Sequence, residues 1–203
     1  MSSQISDSAM EAIVEFHGHS CPGLVIGVRA AELAMEKLEY PPDTDMVTVA
    51  ETDMCGVDAI QFLTGCTLGK GNLIMLDHGK MAFTFFRRST GKGFRALLNP
   101  EVRGDLDDDF GRLMQKSMDG SATDEEEDRL AKLRVQLKRH FMSLDLGDMF
   151  MTTEWDAPPP RPARVLTSLK CEDCGEMTME SRTRRFGGQT LCLPCFLKVE
   201  QKI

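Results

Sequence analysis

The chain has 203 residues, of which 41% are hydrophobic, so it can bury the core of one medium-sized domain and a small additional unit. Its formal net charge of -8 at pH 7 excludes a broadly basic surface for nucleic acid, and no apolar run approaches the roughly 20 residues of a membrane span. Because the opening sequence MSSQISDSAMEAIVEF lacks the charged and apolar regions of a signal peptide, we expect a cytoplasmic protein without membrane contact.

The first predicted elements are a helix, a strand and a second helix. Residues 22–38 have apolar side chains at alternating four- and three-residue steps, with a proline in the favoured first turn. A stripe of small residues on this helix indicates that another backbone packs closely against it, and the stripe consists of Gly23, Gly27, Ala30 and Ala34. The sequence "YPPD" at 40–43 ends the helix, residues 45–52 predict a strand, and residues 55–65 predict a short helix ending on a glycine.

Three further strands are predicted after a glycine-rich loop. They are residues 73–79, 81–88 and 94–100, joined by short turns. The order of a helix, a strand, a helix and three strands favours the α+β class, in which helices cover a mixed sheet.

Residues 101–128 are acidic, and we expect them to form a loop or a frayed segment. A well-defined helix follows, because Thr123 and Glu126 match a capping box and apolar residues recur at helical spacing as far as Leu144. We assign this helical extension, residues 105–147, to an N-terminal domain of residues 1–154.

A proline-dense segment, residues 155–165, predicts a semi-rigid linker before a C-terminal zinc ribbon of residues 166–203. Two Cys-x-x-Cys pairs separated by 17 residues supply its four ligands, Cys171, Cys174, Cys192 and Cys195. Four thiolates suit a structural Zn²⁺ ion, and a segment this short needs the metal in order to fold.

Three arginines lie between the two pairs, at positions 182, 184 and 185. We interpret them as part of a solubilising hairpin, and the alternative is an adaptor for nucleic acid or protein.

The motif "HGHSCPG" at residues 17–23 carries the second candidate site. If residues 17–21 are extended, His17, His19 and Cys21 lie on one side of the chain. Cys21 occupies the N-cap of the helix that begins at Pro22, where free N–H groups favour a thiolate, and Cys55 repeats this placement at the next helix. These residues predict either a transition-metal site or an anion pocket with activated thiols.

Three neighbouring residues could complete this pocket. Asp58 lies one turn after Cys55, so its carboxylate could orient a ligand or a substrate. Cys66 and Lys70 belong to "GCTLGKGN", which offers N–H groups and a positive charge to an anion. A single cysteine such as Cys66 is, however, more often a small core residue.

The joint motif "FHGHSCPGLVIGVRAAELAMEKL" and "ETDMCGVDAIQFLTGCTLGKGNL", followed by the four-cysteine ribbon, resembles the FmdE family, named for the E-type subunit of formylmethanofuran dehydrogenase. The matching residues are His17, His19, Cys21, Pro22, Gly23, Cys55, Asp58, Gln61, Gly65, Cys66 and Gly69. The resemblance implies an α+β core and association with the molybdenum or tungsten enzyme that reduces carbon dioxide onto methanofuran. That enzyme's catalytic cofactor belongs to other subunits.

The leading hypothesis is an accessory protein of one-carbon metabolism whose N-terminal pocket binds a metal or a pterin-like anion. The alternative is a stand-alone enzyme that uses Cys21 or Cys55 as nucleophile and His19 as base. In both cases Asp58, Gln61, Cys66 and Lys70 are candidates for contacts with the ligand. We also expect a homodimer, in which the linker could let the ribbon of one chain pack on the core of another.

Overall fold

The computed structural model describes residues 3–39 and 45–200, and the chain divides into two compact units, Met1–Pro162 and Ala163–Ile203. The N-terminal unit contains the helices α1 Asp7–His17, α2 Pro22–Lys37, α3 Gly56–Thr64, α4 Asp107–Met118, α5 Asp124–Ser143 and α6 Leu146–Met149. Its strands are β1 Met46–Ala50, β2 Leu73–Met75, β3 Ala82–Arg87, β4 Gly93–Leu98 and β5 Phe150–Glu154. The predicted helix stop "YPPD" lies outside the described residues.

The five strands form one mixed sheet in the order β2-β1-β3-β4-β5. β1 pairs with β2 in parallel, and the remaining neighbours are antiparallel. Phenylalanines of the central strands, including Phe83, Phe85 and Phe94, lie in a core shared with the apolar residues of α2, α3 and α5. The predicted α+β class, a mixed sheet covered by helices, is confirmed.

Helix α2 lies at the centre of the N-terminal unit. The sequence predicts a helix with one buried face, whereas every residue from Leu24 to Ala34 is buried. Two charged residues of this helix form a buried pair, in which Arg29 Nη1 donates to Glu32 Oε2 at 2.7 Å. Arg29 Nη2 also donates to the Leu144 carbonyl, outside the helix, at 2.5 Å. The buried Arg29 side chain therefore holds the residue that follows α5 against α2, and it does not face solvent.

The stripe of small residues on α2 is the contact surface for α3 of the same chain. A Cβ atom on Gly27 would lie 2.0 Å from the Gly56 carbonyl oxygen, which no side chain can tolerate. A Cβ atom on Gly23 would lie 3.4 Å from Cys55 Cβ. Helices α2 and α3 can therefore approach as closely as they do only because position 27 is glycine, whereas position 23 is at an ordinary van der Waals distance from Cys55.

The acidic residues 101–128, expected to be looped or frayed at first, are instead helical over most of their length. A 3₁₀ segment, Pro100–Leu106, leads into α4, which pairs with α5. The aspartates in the first turn of α4 interact favourably with the helix dipole. Leu113 of α4 packs against Leu130 of α5 in a small apolar cluster. The predicted capping box of α5, formed by Thr123 and Glu126, is confirmed.

The elements without a counterpart in the sequence-based prediction include α1 and β5. Helix α1 begins after Ser6, whose hydroxyl accepts the Ala9 N–H, and ends at Gly18 in the left-handed region at φ 90°. Strand β5 extends the sheet by pairing with β4. None of the helices in the described part of the chain combines the length and hydrophobicity that a membrane span requires.

The C-terminal unit consists of two short antiparallel hairpins and a helix. The elements are β6 Ser168–Lys170, β7 Met177–Met179, β8 Thr183–Phe186, β9 Gln189–Cys192 and α7 Leu193–Glu200, with a 3₁₀ turn at Glu180–Arg182. Its small core contains three of the four cysteines together with Leu191. Such a core is too small to fold this unit without a metal.

Candidate metal centres

Three helix ends meet at the first candidate centre. His17 is the last residue of α1, Cys21 is the N-cap of α2, and Cys55 directly precedes α3. His19 lies in the short connection between α1 and α2, with its ring centroid 4.4 Å from that of His17. The close contact between α2 and α3 brings the two cysteines together across a long stretch of sequence.

The four side chains converge on one point. One potential ligand atom from each of His17, His19, Cys21 and Cys55 lies within 4.8 Å of all the others. Two imidazoles and two thiols are a donor set that Zn²⁺ and other first-row transition metals bind. The structure thus brings together all four residues of the sequence-predicted second site.

A hydrogen-bond chain fixes the orientation of His17. Its Nδ1 lies 2.7 Å from Asp58 Oδ2, and Gln61 Nε2 donates to Asp58 Oδ1 at 3.2 Å. His17 Nε2 is buried and has no hydrogen-bond partner among the residues that the structure describes. A buried orphan nitrogen opposite a carboxylate-bound nitrogen is the arrangement of a metal-ligating histidine, so the residues fit a metal ion.

The two cysteines differ in their surroundings. Cys21 Sγ accepts the Leu24 N–H at 3.3 Å, as expected for an N-cap. Cys55 has helical backbone angles and makes no capping hydrogen bond, so it does not repeat the arrangement of Cys21. Burial, and then the neighbouring Cys21, raise the pKa of the Cys55 thiol, which opposes the expectation of an activated thiolate there.

The backbone also differs from the extended segment expected at residues 17–21. His17 is helical, and the chain turns at Gly18 before it reaches His19. The residues meet because a helix ends here, and this is the feature that sequence reasoning missed. A serine N-cap at position 6 and a glycine directly after His17 were the available signals for α1.

The remaining predicted site residues are placed as follows. Asp58 and Gln61 stand behind His17, as described. Cys66 is fully buried in the core, where its Sγ donates to the Met46 carbonyl at 3.4 Å, so it is placed as a small core residue. Lys70 Nζ donates to the Gly65 carbonyl at 2.9 Å. Neither Cys66 nor Lys70 belongs to the four-residue cluster.

The second candidate centre is the ribbon cluster. One atom from each of Cys171, Cys174, Cys192 and Cys195 lies within 4.8 Å of the others, as the spacing predicts. The Cys192 N–H donates to Cys171 Sγ at 3.3 Å, and together with the Cys174 N–H it lowers the pKa of the Cys171 thiol to about 6. Backbone N–H groups directed at sulfur favour the thiolate of Cys171, whereas the neighbouring side chains raise the pKa of the Cys174 and Cys195 thiols.

Two family models match the chain, one over each candidate centre. The family described as "FmdE, Molybdenum formylmethanofuran dehydrogenase operon" matches residues 16–151, and the "Prokaryotic dksA/traR C4-type zinc finger" matches residues 166–201. The second match and the four clustered cysteines indicate a structural zinc ion in the ribbon.

Two individual proteins are similar over most of the chain. A "Probable S-adenosyl-L-methionine-binding protein" of Archaeoglobus fulgidus is 34% identical over 192 residues, which are 89% of this chain and 50% of that protein. The chain thus spans about half the length of this curated relative. The crystal structure of an FmdE-like protein of the tungsten formylmethanofuran dehydrogenase type, from Syntrophus aciditrophicus, has a TM-score of 0.60 and 25% identity, covering 93% of this chain and 90% of that one.

The family match covers well over half of the chain and includes all four residues of the N-terminal cluster. The chain therefore belongs to the FmdE family, as a metal-binding member that carries a C4 zinc finger.

Proposed function

We propose that the N-terminal unit binds a transition-metal ion, with Zn²⁺ as the first candidate, through His17, His19, Cys21 and Cys55. The observation that carries this proposal is the convergence of four ligand atoms around a buried His17 Nε2 that has no hydrogen-bond partner. Leaving such a nitrogen unpaired in the interior costs about 1–3 kcal/mol, which a bound metal ion offsets.

Asp58 acts in this proposal by holding His17. Its carboxylate accepts from His17 Nδ1 and thereby leaves Nε2 deprotonated and directed at the metal. Gln61 in turn restrains Asp58 from the other side. Together these two residues make His17 a better ligand than an unsupported histidine.

The wider role that we propose is an accessory, metal- or ligand-binding protein of one-carbon metabolism. The family's name, with its molybdenum formylmethanofuran dehydrogenase operon, supports this role, and so does the name of the Syntrophus protein. Other subunits of a molybdenum or tungsten dehydrogenase are the proposed partners. A pterin-like anion is the alternative to a metal in this pocket, and the relative's printed name adds S-adenosylmethionine as a compound to test.

The homodimer stays a prediction. The sequence argument for it used the proline-rich segment and the small residues of α2, but α3 of the same chain now accounts for the contact at Gly27. The prediction therefore depends on residues 155–165 alone, and light scattering at micromolar concentration tests it.

The alternative of a thiol-dependent enzyme makes a different prediction. A nucleophilic Cys21 or Cys55 should be alkylated rapidly near neutral pH, whereas a metal-bound thiolate should react only after a chelator removes the metal. The raised pKa of the Cys55 thiol opposes a role for Cys55 as the nucleophile of this alternative. The adaptor alternative predicts nucleic-acid binding that weakens steeply with salt.

The test of the proposed function is the metal content per chain, measured by elemental mass spectrometry on full-length variants. We expect two metal ions in the unmodified chain, and one in each of the double variants Cys21→Ser/Cys55→Ser and Cys171→Ser/Cys174→Ser. The second variant isolates the N-terminal centre and is the matched control for the first. Loss of all metal in the Cys171→Ser/Cys174→Ser variant would overturn the proposal, because the ribbon would then be the sole metal site.

A further inference from the structure

His19 differs from the other three residues of the N-terminal cluster. It is exposed, whereas His17, Cys21 and Cys55 are half-buried. Within residues 3–39 and 45–200, the structure gives His19 no hydrogen bond, and its ring contact is with His17. Within the described residues, no hydrogen bond therefore fixes the direction of its imidazole.

The other three residues are held by the protein. The Asp58 carboxylate binds His17 Nδ1, and the side chain of His17 is 10% exposed. The Leu24 N–H binds Cys21 Sγ, and Cys55 lies against Gly23 at the contact between α2 and α3. Removing His17 from a metal would leave its buried Nε2 without a partner, and removing Cys21 or Cys55 would leave a half-buried thiolate, whereas a released His19 would be hydrated by water.

A zinc centre with three fixed protein ligands and one exchangeable position is the pattern of reactive sites, whereas four fixed ligands are typical of structural sites. Building on the proposed metal site, we propose that His19 is an exchangeable ligand, and that a small molecule with one heterocyclic nitrogen donor on an apolar ring takes its place. In the ribbon cluster, by contrast, three of the four cysteines are buried, which is typical of a structural site without an exchangeable position.

Charge determines the donor class of this small molecule. Two thiolates balance the charge of a divalent metal, and the neutral imidazole of His17 leaves that balance unchanged. A neutral nitrogen heterocycle replaces His19 without adding charge. An anion would instead place a net negative charge beside the Asp58 carboxylate.

The apolar ring is indicated by two phenylalanines beside the His17–Asp58 pair. Phe16 precedes His17 on α1, and Phe62 lies one turn beyond Asp58 on α3. Their ring centroids are 5.8 Å apart, and the residues are 56% and 42% exposed. The Phe62 ring of this exposed pair lies one helical turn beyond Asp58, and the pair is the apolar surface that we expect the ring of a ligand to reach.

The test uses Co²⁺, whose visible spectrum reports the number and type of its ligands, in the full chain carrying Cys171→Ser and Cys174→Ser. In this background His19→Ala should still bind one Co²⁺ ion, with a loss of affinity of about tenfold or less, and His17→Ala, its matched control, should lose about 100-fold. Added imidazole should restore the original spectrum of His19→Ala and leave His17→Ala unrestored. Benzimidazole should bind His19→Ala about three- to tenfold more tightly than imidazole, and Phe62→Ala should remove that preference.

Each other result overturns a defined part of the inference. Equal loss of Co²⁺ in His19→Ala and His17→Ala would make His19 a fixed ligand while leaving the metal centre in place. A His19→Ala spectrum that does not respond to imidazole, repeated with His19→Gln, would mean that the position is closed. Binding of acetate as tight as that of imidazole would refute the donor class, and a background chain without Co²⁺ would overturn the proposed metal site itself.

Discussion

The two cysteine clusters of this protein are assembled in opposite ways. The ribbon takes its four ligands from two Cys-x-x-Cys pairs between Cys171 and Cys195, each within a hairpin or at a helix start. The N-terminal cluster takes its ligands from the end of α1, the start of α2 and the start of α3, between His17 and Cys55. The first cluster depends on local chain geometry, and the second depends on how three helices pack.

This difference shows what holds each cluster in place. In the ribbon, the cysteines themselves form most of the core, so metal binding and folding are coupled in a single equilibrium. In the N-terminal unit, a large core of sheet and helices exists apart from the cluster. We therefore expect metal removal to unfold the ribbon and leave the N-terminal unit folded.

The largest predicted effect is the loss of the ribbon in Cys192→Ser. Zn²⁺ contributes about 10–16 kcal/mol to the folding of small metal-binding domains, so the variant should leave residues 166–200 without protection from hydrogen exchange. The N-terminal unit should keep its protection, and mass spectrometry of the exchanged peptides measures both units at once. Protected ribbon peptides in this variant, or a loss of protection in β3 and β4, would contradict the comparison.

The next effect tests the packing that assembles the N-terminal cluster. In Gly27→Ala the new Cβ would lie 2.0 Å from the Gly56 carbonyl oxygen, so α2 and α3 must separate. We expect a loss of about 3 kcal/mol in the free energy of unfolding, together with weaker metal binding at Cys21 and Cys55. Fluorescence of Trp155, the single tryptophan of the chain, follows unfolding of this unit during urea denaturation.

Gly111→Ala is the matched control, because nothing lies within 4 Å of the new Cβ and the residue is inside α4. It should raise the free energy of unfolding by about 0.5–1 kcal/mol, since alanine is the better helix former. If Gly27→Ala behaved like this control, close packing of α2 on α3 would not be what assembles the cluster.

The sequence predicts the ribbon cluster more completely than the N-terminal cluster. The spacing of Cys171, Cys174, Cys192 and Cys195 encodes the ribbon cluster directly. The N-terminal residues were identified by type and by their places near predicted helix starts, but an extended segment was expected where α1 ends. The stripe of small residues on α2 predicted a close backbone contact without naming its partner, because pairing between distant segments is decided by the tertiary fold.

The same limit explains the errors in the fold. The core strands β1, β3 and β4 follow from apolar runs bounded by turns. Strand β5, with the sequence FMTTE, has four exposed residues of five. It is a strand only because its backbone pairs with the edge of the sheet at β4. Helix α4 begins with three aspartates that suggested a loop, yet acidic residues at a helix start are favourable, and α5 buries its Leu113.

A smaller predicted effect distinguishes the orientation of the His17 ligand from the stability of the fold. In Asp58→Ala, His17 loses the acceptor at its Nδ1, so metal affinity at the N-terminal centre should fall by about 10–100-fold. Gln61→Ala removes only the support behind Asp58 and should cost less. Competition with a chromophoric chelator measures both affinities, and equal affinities in Asp58→Ala and the unmodified chain would refute the role of the carboxylate. Metal binding at the ribbon should be unchanged in both variants.

The smallest predicted effect concerns the pH dependence of the N-terminal unit. Glu51, at the end of β1, accepts from Arg95 Nε at 2.5 Å and from Arg95 Nη2 at 2.9 Å. This pairing with Arg95, aided by His78, holds the pKa of the Glu51 carboxyl below its ordinary value of 4.5. Because the folded state favours the ionised carboxylate, the pair stabilises the unit above the ordinary carboxyl pKa. That contribution is lost as the pH falls through the lowered pKa of the folded state.

Glu51→Gln should therefore lower the free energy of unfolding by about 1.5 kcal/mol at pH 7, and by less as the pH approaches 3. Urea denaturation followed by Trp155 fluorescence across this range measures the difference, and Glu154→Gln, at an exposed position of β5, is the control. The metal at the ribbon responds to acid through protonation of its thiolates, so it should be released at the same pH in both variants. A difference that stayed constant from pH 7 to pH 3 would mean that Glu51 contributes by packing, because only its charge is lost in acid.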